Sequence, residues 1–111
     1  MNIVHKELAA GRWAQMSFPE QMANIGSEVS RALNWQKKGN EAYMKKAVYR
    51  ALELIDLTLK SANTYPRLRE VARVREALVD FFFFENEFSS TEKLWRKYFD
   101  AFAIVSRNSR I

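Results

Sequence analysis

Gln21, Asn24, Glu28 and Arg31 follow one another at steps of three, four and three residues, and Trp35 continues the series. On a helix of about 3.6 residues per turn such a series shares one face. The chemistry it could do is that of a polar groove between helices, with Glu28 as its carboxylate. A matching cation comes from Arg75, which sits inside the apolar arc of its own stretch. A buried guanidinium needs a carboxylate or several carbonyls to receive its donors. Two readings follow. In the first, Gln21, Asn24, Glu28 and Arg31 are a solvated edge or a seam where Glu28 meets Arg75. Arg75 then packs its stem and leads its head out to solvent or to one acid. In the second, these five residues line a small-ligand or catalytic groove, since bundle interiors do host such sites.

Other chemistries lack their residues. The chain has one histidine, His5, and no cysteine. Inward-facing Glu-x-x-His pairs, the signature of a di-metal carboxylate bundle, are absent, and so is any histidine-based triad. There is no thiolate metal site, no cysteine nucleophile and no phosphate-binding glycine loop. No catalytic residue, metal ligand or cofactor is nominated, and the balance leans away from an enzyme.

Two further constellations concern partners. Lys60, Arg67, Arg69, Arg107 and Arg110 gather at one end of the arrangement derived below, with Arg12 near and Glu20 and Glu70 diluting them. A basic end of this kind can meet nucleic-acid phosphates. It lacks the interleaved exposed aromatics that single strands stack upon. Trp13, Trp35, Phe84 and Phe88 are large apolar groups that no helical stripe absorbs. They are candidates for an interface with a second copy or another protein. The competing reading has residues 1–16 folding back over them.

The elements that position these residues announce themselves by their starts. Ser17-Phe18-Pro19-Glu20 combines a capping box with an early proline. The helix it opens runs to about Lys38, stops at Gly39, and buries Phe18, Met22, Ile25, Val29, Ala32 and Leu33. Asn40 caps a second helix to about Ala62, apolar over nearly half its circumference. Thr64-Tyr65-Pro66 opens a third, ending near Glu85, with Leu68, Val71, Ala72, Leu78, Val79 and Phe82 on one face. This stretch, Arg67–Phe84, reads as the centre around which the chain wraps. Its four phenylalanines cannot all face one core: Phe82 belongs inside and Phe84 points to the polar side. Ser89 with Glu92 suggests a capping box for a fourth helix to about Arg107, burying Leu94, Trp95, Tyr98, Phe99, Phe102 and Val105. Before Ser17, Ile3, Val4 and Leu8 suit one face of a short helix that Gly11 should break.

Composition bounds the rest. In 111 residues, 48% are hydrophobic and 14% aromatic, with only 3 Gly and 2 Pro. That suits one helical domain rather than a turn-rich β fold. The 18 basic and 13 acidic residues leave a net charge of +5, a moderate excess. No run approaches the roughly 20 apolar residues of a membrane span, and the start lacks the apolar core of a signal peptide. Absence of cysteine fits a cytoplasmic location.

The segments MSFPEQMANIGSEVSR (16–31), RALELIDLTL (50–59) and Leu68–Phe82 resemble a group of small microbial helical proteins of unknown activity. The resemblance spans residues 13–105. It implies an independent small helical domain and no activity. A helical RNA-processing fold carries an Arg-x4–6-His motif, and no arginine here is followed by such a histidine. The expectation is an all-α, antiparallel up-down-up-down four-helix bundle over residues 17–108. An N-terminal extension (1–16) precedes it and a frayed tail (109–111) follows. Its expected role is protein–protein interaction including self-association, with nucleic-acid binding second and the Glu28/Arg75 groove third.

Overall fold

The computed structural model describes residues 11–108. The expectations for Ile3, Val4, His5, Leu8 and Arg110 fall outside them. Among the described residues the chain is all α, with five helical segments and no strand. Residues 11–15 are helical (α1) and turn at Met16. Gly11 is itself helical, and the expected break there concerns residues that fall outside those described. The segment is anchored by Trp13, whose indole N–H donates to Thr58 Oγ1 at 2.9 Å.

The next three starts rest on local hydrogen bonds. Helix α2 (Phe18–Lys37) begins where the Glu20 N–H donates to Ser17 Oγ at 3.3 Å. It ends at Gly39, whose φ of +74° suits a residue without Cβ. There the Asn40 N–H reaches back to the Trp35 carbonyl at 3.0 Å, satisfying an orphan acceptor. Helix α3 (Glu41–Ser61) is capped by Asn40 Oδ1, which accepts from the Tyr43 N–H at 3.0 Å. Helix α4 (Tyr65–Phe83) is capped by Thr64 Oγ1, which accepts from the Arg67 N–H at 3.4 Å.

Helix α5 (Glu92–Asn108) departs from expectation at its start. Thr91 Oγ1, not Ser89, accepts from the Leu94 N–H at 3.1 Å. Ser89 lies in the preceding turn with φ of +55°, a backbone that cannot serve as an N-cap.

The packing centre also differs from the expected one. Helix α2 packs against both α3 and α5, while α4 packs on α3. Seven residues of α2 are buried and only four of α4, so the chain is built around α2 and not around Arg67–Phe84. Gly26 is buried in α2 because α5 presses on it: a Cβ there would lie 2.6 Å from Phe99 Cβ. Helices α4 and α5 meet through wide aromatic side chains rather than by close backbone approach, with Phe81 edge-on to Trp95 at 6.4 Å.

That separation explains three misplaced core residues. Leu94 and Val105, expected inside, are 56% and 51% exposed, because α2 covers only the Trp95, Phe99 and Ser106 side of α5. Leu68 is 40% exposed, and Val74 is buried in its place. The inner stripe of α4 is Val71, Val74, Leu78 and Phe82, which leaves Arg75 at its edge.

Pairings across the helices fix which ends lie together. Phe18 takes the ring of Phe102 edge-on at 5.9 Å and the Arg67 guanidinium at 5.0 Å. Gln21 Nε2 donates to Ser61 Oγ at 3.2 Å. So the starts of α2 and α4 share one end with the last turns of α3 and α5. At the other end Lys37 pairs with Glu92 at 2.9 Å, and Trp35 meets Tyr43 edge-on at 4.8 Å.

Candidate protein-docking surface

The five residues of the expected polar groove are not brought together. Gln21 is buried, and its Nε2 also donates to the Trp13 carbonyl at 2.8 Å, tying α1 to α2 and α3. Asn24 is exposed and its Nδ2 donates to the Glu20 carbonyl of its own helix at 2.8 Å. Glu28 pairs with Arg31 at 3.0 Å, one turn along α2. Arg75 pairs with Asp56 of α3 at 2.9 Å. The expected Glu28–Arg75 pair is therefore corrected: α4 packs on α3, so the acid within reach of Arg75 is one that α3 presents. Its head is half in solvent, the snorkelling arrangement expected of an arginine at a helix edge. Glu28 Oε2 and Trp95 Nε1 are buried without a hydrogen-bond partner among the described residues.

Two of the four interface candidates are consumed inside the chain. Trp13 is buried among α2 and α3, taking the fold-back option open to it. Trp35 is half-buried between Tyr43 and Lys38, whose ammonium lies 5.0 Å from the ring centre. The other two stand in solvent: Phe84 is 71% exposed and Phe88 58%.

The loop that carries them is braced from below. Both oxygens of the Asp80 carboxylate accept backbone N–H groups, from Glu87 at 2.9 Å and Phe88 at 3.0 Å. The Asp80 carbonyl accepts from Phe84 at 3.1 Å and from Asn86 at 3.3 Å. Asn86 then grips Ser90 twice, Oδ1 accepting its N–H and Nδ2 donating to its carbonyl, each at 2.9 Å. Asn86 and Ser89 hold φ of 56° and 55°. Asparagine tolerates that region and serine does so less readily. Sequence reading saw Phe84 and Phe88 but missed Asp80 and Asn86. The signal available was an aspartate and an asparagine flanking a helix end, residues that bond nearby backbone.

Two surface recesses, one lined by α4 and one by α5 and reaching Ser90 of the loop, share Tyr98 and together make an α4/α5 groove. The α4 wall carries Tyr65, Arg69, Arg73 and Val74. The α5 wall carries Leu94, Lys97, Ala101 and Phe102. Tyr98 donates to Glu70 Oε2 at 2.5 Å. Burial, and then the Glu70 carboxylate, push the Tyr98 hydroxyl well above the ordinary phenol range, so it remains a neutral donor. The groove is lined by Leu94, Ala101 and Phe102 as apolar groups and by the exposed cations Arg69, Arg73 and Lys97.

Of the basic candidates, Lys60, Arg67, Arg69 and Arg107 are exposed at or near the end shared by the starts of α2 and α4. Tyr65, 71% exposed, stands beside them. Among the described residues no group of three or more His, Asp or Glu side chains could hold a metal ion, and no helix is long and apolar enough to cross a membrane. Comparison of the chain with protein-family models, with curated proteins and with solved structures gives no match.

Proposed function

We propose that the chain is a small non-enzymatic helical protein of the cytoplasm that acts by docking to protein, itself included. In this reading α2–α5 form an antiparallel up-down-up-down unit, and the loop after α4 is its docking element. One observation carries it: two phenylalanines stand in water on a loop whose backbone is held by Asp80 and Asn86. Exposed phenylalanine gains nothing in an isolated chain, and a braced loop loses little further entropy on binding. Aromatic side chains in such positions supply a large share of binding energy.

A photo-crosslinking amino acid at position 84 tests this in the native cell, with Arg50 on α3 as the exposed control site. Adducts to polypeptide are expected at position 84 and not at position 50. The adducted protein, purified, should bind with a Kd raised about thirtyfold by Phe84→Ser with Phe88→Ser, roughly 2 kcal/mol. No adduct above the control would overturn the reading.

Nucleic-acid binding stands second, supported by Tyr65, an exposed ring among Arg67 and Arg69 that supplies the stacking group such a patch needs. Titration with mixed RNA and DNA at falling salt discriminates, because phosphate contacts strengthen as salt is removed.

A further inference from the structure

The braced loop and the α4/α5 groove are opposites in charge. The loop is apolar at Phe84 and Phe88, with the exposed acids Glu85 and Glu87 interleaved. Glu76 and Asp80 line the same recess as Phe84, together with Arg75, which is already paired with Asp56. The groove is concave, with Leu94, Tyr98 and Phe102 as apolar lining and Arg69, Arg73 and Lys97 at its rim. Its one acid, Glu70, is already engaged by Tyr98. Among the described residues none of Glu85, Glu87, Arg69, Arg73 and Lys97 has an ion-pair partner, although five other pairs form within the chain.

We infer that the loop of one copy seats in the α4/α5 groove of a second copy, its phenylalanines on Tyr98, Phe102 and Leu94 and its acids against Arg69, Arg73 and Lys97. The occupant is a second copy because the chain itself carries both the acidic aromatic knob and the basic apolar groove that fits it. Loop and groove belong to the same α4–α5 edge, so one twofold axis lets two copies exchange loops and close as a dimer. Such a contact covers Leu94, which α2 leaves exposed. The inference rests on the docking reading above and names its occupant.

Sedimentation velocity of the purified full chain over a range of concentrations tests it. Wild-type protein is expected to move from monomer to dimer as concentration rises. Glu85→Lys with Glu87→Lys reverses the loop, and Arg69→Glu with Arg73→Glu reverses the groove. Either pair alone should weaken the dimer by roughly tenfold or more, because like charges then face each other. An equimolar mixture of the two variants should restore it, since each loop then meets a groove of opposite charge. Circular dichroism and melting of both variants establish that these exposed positions leave the fold intact. A wild-type monomer at every concentration would overturn the inference. So would a dimer indifferent to both reversals, or a mixture that fails to recover. If the chain is monomeric yet position 84 crosslinks to another polypeptide, self-docking fails and the docking reading survives. If it is monomeric and position 84 captures nothing, both fail.

Discussion

At Gly26 the chain omits a side chain so that α5 can lie close. A Cβ built there meets Phe99 Cβ at 2.6 Å and Cγ at 2.9 Å, distances no real pair of carbons keeps. Gly26→Ala gains about 1 kcal/mol of helix propensity. It also forces Phe99 or the α5 backbone to move, and overpacking of that kind costs about 1–3 kcal/mol. The ring of Phe99 is stacked on Trp95 at 6.0 Å and cannot yield alone. Gly26→Ala should therefore lower stability by about 1 kcal/mol in urea denaturation, and a more stable variant would contradict the close approach. Nothing in the spacing of apolar residues marks Gly26, because the contact that demands glycine comes from a residue over 70 positions away. Arg75 teaches the same lesson from the other side. Its need for one acid is legible in the sequence; that the acid is Asp56 and not Glu28 depends on which helix lies beside α4.

At the level of elements, the start of α5 shows how two equal local signals are resolved. Ser89 and Thr91 both precede the apolar run, and Ser89-x-x-Glu92 matches a capping box. The braces from Asp80 and Asn86 put Ser89 in the left-handed region, so its hydroxyl cannot serve the helix. Glu92 is then free to pair with Lys37 across the helices instead of turning back to its own cap. Thr91→Ala should cost about 1 kcal/mol, the usual worth of an N-cap. Ser89→Ala should change stability little by comparison. Urea midpoints of the two variants measure the difference, and equal losses would reassign the cap.

Across the whole molecule, α2 is the spine and the α4/α5 edge is the open side. Lys37–Glu92 ties the end of the spine to the start of α5. The hydrogen bond from Lys37 holds the Glu92 carboxyl below its ordinary value of 4.5, opposed by desolvation and aided by Arg96. A depressed folded-state value means that the fold favours the ionised form. That contribution is present above pH 4.5 and is lost as pH falls through the lower, folded value. Urea unfolding at a series of acid pH values should show this loss, and Lys37→Met should flatten that part of the curve. An unchanged acid limb in the variant would remove the pair from any role in stability.

What the residues determined by themselves was local. Ser17, Asn40 and Thr64 cap the helices they were expected to cap, and Gly39 ends one with positive φ. A cap is decided by hydrogen bonds within about four residues, so its signal lies entirely in adjacent sequence. The inner face of α2 was legible for a similar reason: the stripe is read against its own axis. Tertiary structure alone decided which helices became neighbours. That choice buried Trp13 on Thr58, gave Arg75 to Asp56, and left the Leu94 and Val105 side of α5 uncovered. It also left Phe84 and Phe88 in water, because α2, not the phenylalanine-bearing α4, lies at the centre.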